Sequence, residues 1–358
     1  MPEFPIVDTH VHLWDPARLR YAWLAGAPRL NRRHSVDEFR AACGPVAVGK
    51  LVFVECGCDR PLAFEEAAWV SGLAAGEPRL RGIVAHASLE KGDAVEADLA
   101  RLAALPLVKG IRRLLQEEKD DAYCLRPDFV RGVRMLARFG FTFDLCIYHR
   151  QLAGVIALVR QCPEVRFALD HLGKPGIKAG LLDPWRAEMR MLAALPNVVC
   201  KLSGVATEAD HATWTPAQLR PYLDHALACF GPGRVMFGGD WPVSTLATDY
   251  PRWVATVDEA LAGFPEADRC RIYAVKRLRV GRVDPADGRR RDSPGPRSAP
   301  PFPEGITPRC PPVAPAFRPL RGRARTIRWR VRWSRRRSAR RHSPRGAGPR
   351  PVGRCAGR

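Results

Sequence analysis

The amino-acid sequence predicts a (β/α)8 barrel in residues 1–274 and a separate basic tail in residues 275–358. Eight short apolar or β-branched runs alternate with longer amphipathic stretches, the pattern of strands joined by helices. A polar or ionisable side chain follows each of the eight runs. The chain of 358 residues has a formal net charge of +21, but residues 275–358 contain 24 Arg and one Lys against four acidic residues. Residues 1–274 are therefore neutral overall, as expected for a globular body with a basic appendage.

The individual elements follow from this alternation in chain order. Strands are predicted at residues 4–11, 50–55, 82–87, 108–114, 141–147, 165–170, 198–202 and 235–239. Helices are predicted between them at residues 61–75, 94–104, 127–139, 151–161, 184–194, 216–230 and 250–263, and several have a proline in the first turn or end near Gly or Pro. Strict alternation favours parallel strands with crossover helices, and eight such units close most economically into a barrel.

Local patterns exclude several classes of protein. The longest apolar stretches fall well short of the roughly 18 residues that span a membrane. Residues 1–8 include Glu3 and Asp8 where a signal peptide would have a basic start and an apolar core. The 11 cysteines are scattered as small hydrophobic residues would be, and Cys56 and Cys58 lack the second pair that a zinc finger needs. A reduced, cytoplasmic protein is therefore expected.

The ends of the strands hold the candidate site, because the active site of such a barrel lies where strands end and loops begin. His10 and His12 are two apart on the first strand, so their side chains share one face and could hold a divalent ion or polarise a substrate oxygen. The same short pattern also occurs at ordinary strand ends. Asp240 follows two glycines at the eighth strand end and could accept a proton from water or complete a metal shell; the alternative is a turn aspartate that caps the next helix.

Five motifs lie at the predicted strand ends: DTHVHLWD at 8–15, VKGIRRLLQ at 108–116, FALDHLGKP at 167–175, VVCKLSG at 198–204 and FGGDWPV at 237–243. In this order they resemble the amidohydrolase superfamily, and within it the branch of lactone hydrolases that includes sugar lactonases, sulfomuconolactone hydrolase and pyrone dicarboxylate hydrolase. The resemblance covers about residues 4–274. It is specific to the branch rather than to one substrate.

The resemblance implies catalytic roles for His10, His12, His171 and Asp240. Asp240 would act as the general base on the attacking water, and the histidines would polarise the lactone carbonyl directly or through a metal. Opening a lactone needs both a proton acceptor and stabilisation of the tetrahedral oxyanion, which suits this combination. For His171 the alternative is a histidine satisfied by the neighbouring Asp170.

Five further residues are candidates for binding substrate. Arg112 could hold a substrate carboxylate or hydroxyl, or could form a structural ion pair with a barrel carboxylate. Tyr148 and His149 could contact substrate or simply belong to the loop and the start of the next helix. Three roles are open for Lys201: catalysis, substrate binding, and an ion pair with the carboxylate at the second strand end. Trp14, which follows the first motif, is expected to wall the pocket.

The cofactor requirement has two alternatives. The resemblance allows one divalent metal ion, zinc or manganese, held by His10, His12, His171 and Asp240, and it equally allows catalysis without a metal. A binuclear centre is not expected, because the bridging lysine that it uses would come from the end of the fourth strand. The sequence offers only Lys109, at the start of that strand.

Residues 275–358 depart from the resemblance. With 24 Arg, 14 Pro and no sustained apolar periodicity, they cannot bury enough surface to offset chain entropy, so disorder is expected. Three origins are open: a shifted reading frame in a GC-rich gene, an arginine-rich arm that binds nucleic acid or anionic lipid, and a fused linker. Deletion combined with a functional assay would separate them.

The function expected from the sequence is hydrolysis of a small-molecule lactone or related cyclic ester. The alternatives are a metal-dependent decarboxylase of the same superfamily and a nucleic-acid-binding protein with a basic tail on a degenerate barrel. Nucleic acid would be bound only through the tail, and no membrane partner is expected. The sequence leaves open the oligomeric state and which lactone is the substrate.

Overall fold

Eight parallel strands form one sheet in chain order in the computed structural model, which describes residues 2–274. The strands are β1 (Ile6–Val11), β2 (Val48–Val54), β3 (Leu80–His86), β4 (Val108–Arg112), β5 (Thr142–Leu145), β6 (Arg166–Leu169), β7 (Val198–Leu202) and β8 (Val235–Phe237). Each strand pairs in parallel with the next. The predicted (β/α)8 fold class is confirmed, and the predicted tail at 275–358 lies outside the described residues.

Helices connect the strands and surround them. They are α1 (Val36–Ala42), α2 (Ala63–Leu73), α3 (Glu96–Ala103), α4 (Pro127–Phe139), α5 (Leu152–Gln161), α6 (Trp185–Ala193), α7 (Pro216–Phe230), α8 (Tyr250–Ala260) and α9 (Glu266–Tyr273). Within residues 2–274, no helix combines the length and the apolar character needed to span a bilayer.

The helix ends follow the expected capping chemistry. Pro127 begins α4, and Gly140 ends it in the left-handed conformation with φ 68°. Helix α1 was not among the predicted helices, since seven residues are too few to establish a period. Its sequence signal is a capping box: Ser35 Oγ accepts from the Glu38 N–H at 3.3 Å, and the Glu38 carboxylate accepts from the Ser35 N–H at 2.8 Å.

The seam between β1 and β8 is closed by the buried carboxylate of Asp8. It accepts hydrogen bonds from the N–H groups of Gly239 at 2.8 Å and His10 at 2.9 Å, and from the Tyr250 hydroxyl at 2.8 Å. The eighth strand was predicted to extend to residue 239, but β8 ends at 237. Just beyond it, Asp240 turns into the left-handed region with φ 54°, while its N–H still donates to the His10 carbonyl at 2.8 Å. This turn places the Asp240 side chain beside the end of β1.

Candidate active site

Four residues from three distant parts of the sequence meet at the carboxyl ends of the strands. The Asp240 Oδ1 atom lies 3.4 Å from His12 Nε2, 3.7 Å from His10 Nε2 and 3.9 Å from His171 Nε2. All four side chains are buried. The potential ligand atoms of His10, His12 and Asp240 lie within 4.8 Å of one another, which is close enough to hold one metal ion.

The local backbone accounts for this convergence. His10 and His12 alternate on β1, so both imidazoles point to the mouth and their Nε2 atoms are 3.2 Å apart. His171 and Asp240 both have left-handed backbone conformations, with φ 53° and 54°. Gly204, at φ 59°, leaves room for them: a Cβ there would lie 2.4 Å from His171 Nδ1 and 2.9 Å from Asp240 Oδ2. Strained backbone of this kind tends to cluster at functional sites.

The Nδ1 atom of each histidine has its own partner, which fixes the ring. His12 Nδ1 lies 2.8 Å from the Val54 carbonyl oxygen, and His171 Nδ1 lies 2.9 Å from Ser203 Oγ. His10 Nδ1 lies 3.4 Å from Asp170 Oδ1 and 3.3 Å from the Lys201 ammonium, and Arg112 NH1 lies 3.3 Å from His10 Nε2. Outer partners of this kind, a carbonyl or a carboxylate on one ring nitrogen, orient the other nitrogen toward a metal in many metalloproteins.

A buried ion network lies beneath the histidines. Arg112 Nε donates to the Glu55 carboxylate at 2.7 Å, and Arg112 NH1 lies 3.3 Å from Asp170 Oδ2. Lys201 forms ion pairs with Asp144 and, at 3.0 Å, with Asp170. The carboxylate at the second strand end is that of Glu55. It pairs with Arg112, whereas Lys201 pairs with Asp144 and Asp170.

Burial and charge set the protonation of the cluster. Burial lowers the pKa of His171 to about 4 and holds the pKa of His10 well below its usual value. Burial alone would raise the pKa of Asp240, but His171, His12 and His10 outweigh it and hold that pKa below its ordinary range. The cluster at neutral pH therefore contains an ionised carboxylate facing imidazoles that are neutral at His10 and His171.

A cavity of about 370 Å³, the mouth cavity, opens above the cluster. Several predicted site residues line it: Trp14, His12, Arg112, His171 and Asp240. Trp14 is fixed in the wall because its indole N–H donates to the Arg32 carbonyl at 2.9 Å and its ring packs at 4.9 Å against His34.

The remaining substrate-binding candidates do not line the mouth cavity, although the Lys201 ammonium lies 3.3 Å from His10 Nδ1 and the Tyr148 ring lies 5.3 Å from the Lys174 ammonium. Tyr148 and His149 do not line the mouth cavity, and Tyr148 is 38% exposed. Lys201 borders a different cavity of about 890 Å³ at the amino ends of the strands, which contains none of the four clustered residues.

Sequence reasoning did not single out three other groups that line the mouth cavity, namely Lys174, Gln116 and Cys56. The Cys56 thiol, interpreted as incidental, lies 3.7 Å from His12 Nδ1. Lys174 and Gln116 stand within the quoted motifs, and the Lys174 ammonium donates to Gln116 Oε1 at 2.5 Å. Position at a strand end is the signal that could have indicated Cys56, whereas Lys174 and Gln116 lie several residues beyond the ends of β6 and β4.

Comparison with known proteins gives one family. A sequence model of the protein family described as amidohydrolase matches residues 7–274. The chain is 34% identical over 296 residues to an L-fucono-1,5-lactonase from Burkholderia multivorans, covering 79% of this chain and 98% of that protein. It is 25% identical to an L-rhamnono-gamma-lactonase from Scheffersomyces stipitis, covering 76% of this chain and 97% of the relative.

The fold comparison agrees. A crystal structure of an amidohydrolase from Burkholderia multivorans with bound zinc superposes with a TM-score of 0.68 at 33% identity. The match covers 76% of this chain and 96% of that structure.

Proposed function

The chain belongs to the amidohydrolase family and is an enzyme of the hydrolase class, and on that premise we propose that it opens a lactone ring by attack of water. The observation that carries the proposal is the convergence of three imidazoles on the ionised carboxylate of Asp240 beside a cavity that fits a small molecule. Relatives named as lactonases of fucono- and rhamnono-lactones support this reaction, and they make sugar lactones the first candidates.

The hydrogen bonds of the histidines favour catalysis with a metal over catalysis by the imidazoles alone. His12 Nδ1 faces a carbonyl oxygen, so it carries the proton and His12 Nε2 presents its lone pair. His10 Nε2 also acts as an acceptor, because Arg112 NH1 lies 3.3 Å from it and a guanidinium can only donate. Two lone pairs 3.2 Å apart repel each other unless a cation lies between them. His10, His12 and Asp240, with His171 beside them, therefore fit one divalent ion such as zinc. Such an ion would polarise the carbonyl and acidify a bound water.

Asp240 then transfers the proton from the attacking water to the leaving group. Asp240 accepts a proton from the attacking water as the oxygen–carbon bond forms at the carbonyl. When the ring carbon–oxygen bond breaks, the same proton passes from Asp240 to the leaving alkoxide. The product is a hydroxy acid that loses its acidic proton to solvent at neutral pH, so turnover can be followed as acid release.

Replacement of the general base tests this mechanism. We expect Asp240→Asn to lower kcat/KM for sugar lactones by about 10²- to 10⁴-fold, the usual contribution of a general base. Asp37→Asn is the matched control, because it makes the same chemical change at an exposed carboxylate on α1. Thermal unfolding of both variants should stay close to that of the unmodified chain.

The same assay separates the alternatives. Release of acid from sugar lactones or pyrone carboxylates supports the proposal. Release of carbon dioxide in place of ring opening would support a decarboxylase. Full activity in the Asp240→Asn variant would remove Asp240 from the mechanism.

A further inference from the structure

A left-handed turn carries two side chains into the mouth cavity. Four consecutive residues have positive φ: His171 at 53°, Leu172 at 55°, Gly173 at 69° and Lys174 at 47°. Each non-glycine residue in this conformation costs about 1–2 kcal/mol. The Lys174 N–H donates to the His171 carbonyl at 2.8 Å, and the Trp185 indole donates to the Leu172 carbonyl at 2.8 Å. The strained turn thus places Lys174 in the same cavity as the catalytic His171.

Lys174 is less tightly paired than the other basic side chains around the site. Arg112 is held by Glu55 at 2.7 Å, and Lys201 is held by Asp170 at 3.0 Å and by a second carboxylate. The nearest carboxylate that pairs with Lys174 among the described residues is that of Glu208, at 3.8 Å. Its short hydrogen bond goes instead to the neutral Gln116 amide. An ammonium has three N–H groups, so Lys174 retains donors for a ligand.

The charge around Lys174 keeps it protonated. Burial alone would lower the pKa of Lys174, but the nearby Cys146, Glu208 and Asp240 raise it overall. The cavity wall also includes Glu117.

We propose that Lys174, held in place by Gln116, binds the ring hydroxyl groups of the substrate and selects polyhydroxylated lactones over unsubstituted ones. This inference rests on the proposed lactone hydrolysis and assigns to Lys174 the substrate-binding role that the sequence suggested for Arg112 and Lys201. An ammonium that donates to hydroxyl oxygens discriminates strongly against an analogue that lacks them, because the buried donors then stay unpaired.

The test compares a polyhydroxylated six-membered sugar lactone with unsubstituted δ-valerolactone. We expect Lys174→Met to lower kcat/KM for the sugar lactone by about 10- to 100-fold, mainly through KM, while δ-valerolactone loses less than about threefold. Lys178→Met is the matched control, because Lys178 lies on the same loop with its side chain 73% exposed. It should leave both substrates unaffected.

A second variant covers the case in which Lys174→Met fails to fold. Gln116→Leu leaves the left-handed turn intact and should shift selectivity in the same direction by a smaller factor. Equal losses on both substrates, or no loss on either, would overturn the role of Lys174 while leaving lactone hydrolysis in place. If the unmodified chain opens neither lactone, the proposed function fails, and this inference fails with it.

Discussion

Gly204 is the residue whose replacement most directly tests whether the cluster geometry matters. A Cβ at this position would lie 2.4 Å from His171 Nδ1 and 2.9 Å from Asp240 Oδ2. Since ordinary contacts of a methyl carbon begin near 3.5 Å, Gly204→Ala must displace the imidazole by about 1 Å. The position also has φ 59°, which adds conformational strain for any residue with a side chain.

The expected effect has two parts that can be measured separately. The left-handed conformation should lower the free energy of unfolding by about 1–2 kcal/mol. Displacement of His171 and Asp240 by about 1 Å should lower kcat/KM by about 100-fold, because catalytic groups act only over a narrow range of positions. Bound zinc, measured by elemental analysis of protein purified without chelator, should fall as well, because Asp240 is a proposed ligand.

Gly231→Ala provides the matched control. Gly231 also has a positive φ, 66°, and its ψ of 167° is essentially restricted to glycine, so Gly231→Ala also strains the backbone, but a Cβ there would meet no atom within 4 Å. Urea unfolding should show a loss of stability in both variants, and only Gly204→Ala should lose activity and metal. If Gly204→Ala kept kcat/KM within about threefold of Gly231→Ala, a cluster held to about 1 Å would not be needed for catalysis.

Two further predictions concern buried charges. Arg112→Met should lower the free energy of unfolding by about 3–5 kcal/mol in urea titrations, because it leaves the Glu55 carboxylate buried without its partner; a loss below 1 kcal/mol would contradict the structural role of this pair. Arg79 donates two hydrogen bonds to the buried Glu77 side chain, at 2.7 and 2.8 Å, and these bonds lower the Glu77 pKa. Glu77→Gln should therefore cost about 2 kcal/mol at pH 7. The difference in free energy of unfolding between this variant and the unmodified chain should shrink as the pH falls below about 4, because Glu77 is then protonated first in the unfolded chain and next in the folded one. A difference in free energy that does not change with pH would refute the role of the ionised Glu77 carboxylate.

The sequence predicted the fold and the convergence of the four candidate residues because both follow from short-range rules. The alternation of strand and helix dictates parallel pairing, and the ends of parallel strands must meet at one edge. The two-residue spacing of His10 and His12 puts both on one face of β1. Asp240 could be placed because it directly follows the last strand, although its left-handed turn shortened that strand by two residues.

The partners of the basic residues could not be predicted, because they depend on distances across the barrel. Arg112, Lys201, Asp144 and Asp170 lie at or next to the ends of four different strands, and only the closed barrel decides which charges face each other. Arg112 and Lys201 are neutralised by carboxylates within the core. If either side chain turned to bind a substrate instead, those carboxylates would stay buried without a partner, which costs several kcal/mol. A less tightly paired basic group is therefore better placed to contact substrate. Lys174 meets that condition, and its position depends on a left-handed turn for which the sequence has no periodic signal.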